Sequence, residues 1–255
     1  MLKNERLEFI VKTVNQRGTV SLRELEDELK VTRMTLQRDV NELAQDSQLI
    51  RIRGGAQSIH QQQVREISRH NKTALNLPAK RAIAKTAASR IHSGSTIYVG
   101  PGTTLERLSE FLAVKDIRIV TSSLPVFNVF RNLDMTNDLV MIGGTYRPLS
   151  GAFVGSIANE MIEKLNFQIA FIGLNGLSDG RMMTANAAEG EFQRLALEHA
   201  QQKIILADAT KFEKNDFYTF YELNKINELI TDNSLSKSLQ KKYSQLSHLT
   251  IAPNP

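Results

Sequence analysis

The chain has 255 residues and 41% hydrophobic content, room for one large or two modest folded domains. It has no cysteine and only five scattered histidines, so disulfides, thiolate chemistry and a metal-ligand set are not expected. Lys and Arg number 32 against 27 Asp and Glu, a net charge of +5 that admits a polyanionic partner without requiring one. No apolar run approaches the ~18 residues of a membrane span, and the opening MLKNERLEFI lacks a signal-peptide pattern, so a cytoplasmic protein is expected.

From the N-terminus, Leu7, Ile10, Val11 and Val14 fall at helical spacing over residues 5–17, with Gly18 as a stop. Thr19 and Val20 form a short extended piece. Ser21 followed by Glu24 fits a capping box that opens a helix over residues 22–29. After the turn at Lys30 and Val31, Thr32 caps a third helix whose core face is expected to carry Met34, Leu36, Val40 and Leu43. Arg33, Thr35, Gln37 and Arg38 project from other faces near its start. Arg and Gln pair with guanine and adenine edges, and a helix N-terminus favours phosphate, so this is the chemistry of a major-groove reader. Leu49, Ile50, Arg51, Ile52 and Arg53 then alternate apolar and basic, a strand with one buried face and two arginines on the other, and Gly54-Gly55 turns the chain. Helix, short strand, helix, turn, helix and basic hairpin is the order of a winged helix-turn-helix. The candidate DNA-contacting residues are Ser21, Thr32, Arg33, Thr35, Gln37, Arg38, Arg51 and Arg53, and they place the DNA-binding domain at residues 1–56.

Residues 57–77 are polar and glutamine-rich and read as a connection, with His60 and His70 solvated. A second domain is expected over residues 78–255. Pro78 suits a first helical turn, and Ile83, Ala84, Ala87, Ala88 and Ile91 give that helix an apolar face. Short apolar runs then recur at 96–99, 117–120, 139–142, 169–172, 204–207 and 228–231, mostly separated by helical patterns, the grammar of an α/β domain with a largely parallel sheet. Ligands in such sheets bind beyond the carboxyl ends of the strands. The turns there are rich in glycine and hydroxyls: Gly100, Gly102, Thr103 and Thr104; Ser122, Ser123 and Leu124; Gly143, Gly144 and Arg147; and Gly173 to Gly176. Free amides and hydroxyls at helix starts bind anions. Glu189 and the pair Asp208 and Lys211 add charge, suited to a sugar hydroxyl and a phosphate, or to acid/base work in a sugar-phosphate isomerase.

The stretch from residue 25 to 56 resembles the N-terminal domain of the DeoR family of bacterial transcriptional regulators. The family's Thr-(Ile/Leu)-Arg-Arg-Asp-Leu core stands here as Thr35-Leu36-Gln37-Arg38-Asp39-Val40, and its Gly-Gly-Ala as Gly54-Gly55-Ala56. Gln37 stands where Arg is usual and Arg53 where His is usual; Ser47-Gln48 replaces a turn glycine. The second domain resembles the family's sensor domain, related in fold to ribose-5-phosphate isomerase, through Gly100 to Thr104, Thr121 to Ser123, Gly143-Gly144 and Asp208 to Phe212. Ser122 and Ala209 depart from the usual Asn and Ser. The resemblance implies a repressor that binds double-stranded operator DNA as a homodimer or homotetramer. A phosphorylated sugar is the implied effector, and a closer likeness to one branch of the family, carried by Val99 to Leu105, Ser123 to Phe127, Gly151 to Ser156 and Thr210 to Phe212 leading to Asp216-Phe217, implies tagatose 6-phosphate or a related hexose phosphate of lactose and galactose use, with no cofactor. An isomerase-like enzyme and a transcriptional activator are the alternatives.

Overall fold

The computed structural model describes residues 3–17, 19–46, 48–52, 54–58, 68–133 and 138–253. The chain divides into two compact units, residues 1–66 and 67–255.

The first unit contains α1 (Lys3–Arg17), β1 (Thr19–Ser21), α2 (Leu22–Leu29), α3 (Arg33–Gln45), β2 (Leu49–Ile52) and β3 (Gly55–Ser58). Ser21 caps α2 with a complete capping box: the Glu24 amide donates to Ser21 Oγ at 3.2 Å, and the Ser21 amide donates to Glu24 Oε2 at 2.7 Å. Lys30 ends α2 in the left-handed region, φ 54°, which lets the turn to α3 close in two residues. The three strands pair antiparallel in the order β1-β3-β2, so the hairpin is clamped to the chain that precedes α2. Ile10, Val14, Leu25, Leu36, Val40 and Leu43 share one small core. Met34 differs from the expected pattern. It is 65% exposed, because residues 36, 39, 40 and 43 already fill the buried side of α3.

The second unit opens with α4 (Arg69–Thr73) and α5 (Leu77–Ala88). Its main sheet takes β4 (Thr96–Val99), β5 (Arg118–Thr121), β6 (Asp138–Met141), β9 (Phe167–Gly173), β12 (Ala200–Leu206), β14 (Glu228–Asp232) and β15 (Leu249–Ala252). A hairpin of β7 (Thr145–Arg147) and β8 (Ala152–Val154) follows β6, and β10 (Gly176–Ser178), β11 (Arg181–Thr184) and β13 (Tyr218–Glu222) form a small antiparallel sheet. The remaining helices are α6 (Thr103–Glu106), α7 (Leu124–Arg131), α8 (Ser156–Ile162), α9 (Ala187–Glu198) and α10 (Lys237–Ser244).

The strand order is β15-β14-β12-β9-β4-β5-β6, and every neighbouring pair is parallel. Both faces are covered. Ile169 and Phe171 of β9 pack with α5, whereas Ala170 and Ile172 pack with α8 and α9, the two-sided burial that makes such strands continuously apolar. All seven carboxyl ends therefore lie along one edge, where the glycine- and hydroxyl-rich turns are found.

Several elements differ from the sequence expectation. β15 is a seventh strand. Residues 145–147 are strand rather than turn. Residues 57 and 58 extend β3, and residues 69–73 and 77 are helical parts of the second unit rather than connection.

Candidate DNA interface and effector site

In the first unit, Arg33, Met34, Gln37 and Arg38 are exposed, and their spacing places them on one side of α3. Thr32 caps the helix, its hydroxyl accepting the Thr35 amide at 3.4 Å and lying 3.0 Å from the Thr35 hydroxyl. Arg33, Gln37 and Val40 of α3 line a groove of about 440 Å³ together with Leu22, Arg51, Ile52, Gly54 and Gly55. The fold thus brings α3 and the hairpin arginine Arg51 to one concave surface. A Cβ at Gly55 would collide with the Val20 carbonyl oxygen, so glycine there permits the close β1–β3 pairing. Ser21 is committed locally, its hydroxyl donating to Glu24 Oε2 at 2.7 Å. Arg53 lies outside the described residues.

Arg6, which sequence reasoning did not single out, and Asp39, met there only within the family core motif, position this surface. Arg6 of α1 makes a forked pair with Asp39 of α3, at 2.6 and 3.1 Å, and the two side chains are 12% and 4% exposed. The carboxylate hydrogen bond holds the Arg6 guanidinium above its ordinary pKa, against the opposing effect of burial. The visible signal was an Asp on the apolar side of α3, next to Val40 and three residues after Leu36.

In the second unit, the candidate effector residues gather at the carboxyl edge of the sheet. After β4, the Gly100 amide donates to the Phe171 carbonyl at 2.9 Å, and Gly102 caps α6 with φ 146°. Thr103 and Thr104 are buried. After β5, Ser122 and Ser123 are buried and already bonded: Ser122 Oγ lies 3.1 Å from the Tyr98 hydroxyl, and Ser123 Oγ caps α7 by accepting the Val126 amide at 3.4 Å. Each hydroxyl thus has one tie to the frame. Leu124 is exposed beside them.

Gly144, at φ 152°, sits where a Cβ would come 2.7 Å from the Val154 carbonyl and 3.0 Å from Ala158, so it brings β8 and α8 close to the end of β6. Gly143 has open space around it. Arg147 on β7 donates to Glu189 Oε1 at 2.7 Å, and Glu189 is buried, so this guanidinium is engaged by a carboxylate. After β12, Asp208 is 3% exposed and accepts from the Thr210 amide at 3.1 Å, from the Thr210 hydroxyl, and from Asn76 Nδ2 at 3.3 Å.

Lys211 and a second lysine, Lys80, stand near Asp208. Lys80 of α5 is 4% exposed and its Nζ donates to the Lys72 carbonyl. Burial lowers the pKa of both lysines, and the field of Asp208 opposes that shift. Sequence reading missed Lys80. It occupies the same helical stripe as Ile83, Ala84 and Ala87, and a lysine on an apolar stripe was the available signal. Glu106, Arg69 and Lys72 were also unmarked and sit at the same edge, with Asn175 of the expected turn from Gly173 to Gly176. Arg69 makes two bonds of 2.6 Å with Glu106, and Lys72 Nζ donates to Asn175 Oδ1 at 2.9 Å. Buried carboxylates that accept hydroxyls, beside desolvated ammonium groups that favour an anion, are suited to a small phosphorylated polyol.

Residues 6–62 match the DeoR-like helix-turn-helix domain, and residues 75–233 match the DeoR C terminal sensor domain. The chain belongs to the DeoR family. Similar relatives span its length. The lactose phosphotransferase system repressor of Staphylococcus epidermidis is 39% identical over 95% of this chain and 96% of its own. The protein of that name from Lactococcus lactis subsp. lactis is 40% identical over 96% and 97%. Ribose 5 phosphate isomerase A from Neisseria gonorrhoeae is a distant structural neighbour, 16% identical over 53% of each chain with a TM-score of 0.39. A helix-turn-helix domain and relatives named as repressors over nearly its whole length make this chain a transcriptional regulator, and the enzyme alternative falls away. Among the described residues no helix is long and apolar enough to cross a membrane.

Proposed function

We propose that this DeoR-family regulator is a cytoplasmic, homo-oligomeric repressor of a lactose-utilisation operon, released from its operator by a phosphorylated sugar. The observation that carries the reading is the near full-length similarity to proteins named lactose phosphotransferase system repressor. Repression rather than activation follows the same relatives. In this reading the first unit binds the operator: Arg33, Gln37 and Arg38, with Arg51 on the hairpin, contact bases and phosphates, and Met34 offers an apolar surface to thymine methyls. A single winged helix reads a short site, so symmetric operators call for a dimer or tetramer.

The second unit binds the effector at the carboxyl edge of the sheet. Lys80 and Lys211 attract the phosphate, Asp208 accepts sugar hydroxyls, and the Gly100 to Thr104 turn supplies close backbone. Tagatose 6-phosphate, or a related hexose phosphate, is the proposed ligand. The test is thermal stabilisation of the full chain by tagatose 6-phosphate, galactose 6-phosphate, fructose 6-phosphate and ribose 5-phosphate, beside the free sugars. A ligand at about 100 times its Kd stabilises the native state by roughly 2.7 kcal/mol. Stabilisation by a phosphosugar and not by its free sugar is the expected result. No stabilisation by any of the four removes the sensor half of the reading.

A further inference from the structure

Residues 68–76 cross the carboxyl edge of the sheet and are fastened to four separate places on it. Besides its pair with Glu106 after β4, Arg69 donates its amide to the Leu149 carbonyl between β7 and β8 at 2.8 Å. Lys72 is tied to Asn175 after β9, and Asn76 to Asp208 after β12 and to Thr210 Oγ1 at 3.5 Å. Lys80 reaches back from α5 to hold the Lys72 carbonyl. Two of these fastenings, Asp208 to Asn76 and Lys80 to Lys72, use groups that the proposed function gives to the ligand. Asn76 also holds a left-handed conformation, φ 53°, one that Asn adopts more readily than most non-glycine residues and that turns the chain into α5.

We propose that residues 68–76 form a strap competing with the sugar phosphate for Asp208 and Lys80, so that ligand binding releases the strap from the sensor edge. A sugar hydroxyl on Asp208 displaces the Asn76 amide, and a phosphate on Lys80 draws the ammonium from the Lys72 carbonyl. With both fastenings gone, the turn at Asn76 is no longer tied to Asp208. The strap is the part of the sensor unit nearest in sequence to the operator-binding unit. This inference rests on the sugar-phosphate reading above.

The experiment uses the full chain with tagatose 6-phosphate, galactose 6-phosphate and fructose 6-phosphate as probes. Sugar-phosphate Kd is measured for the wild type and for Asn76→Ala, which removes a strap fastening and leaves Asp208 and Lys80 in place. Amide exchange over residues 68–76 of the wild type is followed with and without the bound probe. Asn76→Ala is expected to bind the sugar phosphate about three- to tenfold more tightly, the worth of one lost competing hydrogen bond. Exchange over the strap is expected to speed up on binding. An Asn76→Ala Kd equal to or weaker than wild type, or exchange that slows or stays the same, overturns the strap while leaving the sensor reading intact. If no probe binds the wild type, the sensor reading itself fails and the strap with it.

Discussion

The two units present their polar chemistry in opposite ways. On the first, Arg33, Gln37, Arg38 and Arg51 stand exposed on a scaffold held by apolar residues and by the buried Arg6–Asp39 pair. On the second, Glu106, Asp208, Glu189 and Lys80 are buried and bonded to their neighbours. The difference follows from the ligands proposed. A DNA duplex is large and brings its own charge to an open surface, so side chains there need only a rigid base. A phosphorylated sugar is small, and most of its surface has to be enclosed by groups that are organised before it arrives. Exposed residues on the first unit are therefore separable, and substitutions among them should act on operator binding alone. Residues of the second unit share partners, so their substitutions should couple.

The largest effect expected on this contrast comes from Asp39→Ala, which leaves the Arg6 guanidinium without its forked partner. A hydrogen bond to a charged group contributes about 1.5–3 kcal/mol, so the first unit should melt earlier while sugar-phosphate binding by the full chain persists. Calorimetry of the full chain reads this as a downward shift of one transition only. If both transitions fall together, the units are not thermodynamically separate.

Arg38→Ala comes next. A specific base contact is worth about 1–3 kcal/mol, or roughly 5- to 150-fold in operator affinity, with no change in melting. Unaltered affinity at moderate salt would remove Arg38 from the interface. Should affinity fall equally for operator and random DNA, with a shallower salt dependence, the contact is to phosphate rather than base.

Lys80→Met keeps the apolar stem and removes the ammonium. Sugar-phosphate affinity should fall about tenfold or more, by loss of a charged hydrogen bond, and operator release should need correspondingly more sugar phosphate than in the wild type. Isothermal titration and operator gel shifts on one preparation measure both.

A smaller effect is expected from pH. Lys80 and Lys211 titrate below the ordinary lysine value of 10.5, chiefly because burial disfavours the cation. As pH rises through their lowered values the ammonium groups become neutral, and sugar-phosphate affinity should decline before ordinary lysines titrate. Over that interval the unfolded chain binds more protons than the folded one, so these same groups make folding more favourable as pH rises. Affinity should thus weaken while stability holds. A parallel loss of both would point to unfolding instead.

The sequence revealed the first unit almost whole, because local chemistry writes it there: the Ser21–Glu24 capping box, the Thr32 cap, the alternating hairpin and Gly54-Gly55. Met34 misled because helical spacing alone cannot tell a core methionine from one beside a surface stripe. In the second unit the six expected strands and the glycine-rich turns were legible from apolar runs and composition. The partners of the site were not. Glu106, Lys80, Asn175 and Asn76 meet their neighbours across sequence separations that no local pattern records, and the strap lay hidden in a stretch whose polarity read as a connection. Arg69, Lys72 and Asn76 of this stretch make long-range bonds to the sheet edge.

The most direct test of the central claim, one chain joining operator recognition to sugar-phosphate sensing, is operator affinity measured with and without a phosphosugar. DNA selected by the protein from a random pool would be titrated at fixed salt, alone and with each sugar phosphate that stabilises the chain. A coupling of about 1–3 kcal/mol should weaken DNA binding by roughly 5- to 150-fold, with no effect of the free sugar. Operator affinity unchanged at saturating concentrations of a sugar phosphate that binds would contradict the account.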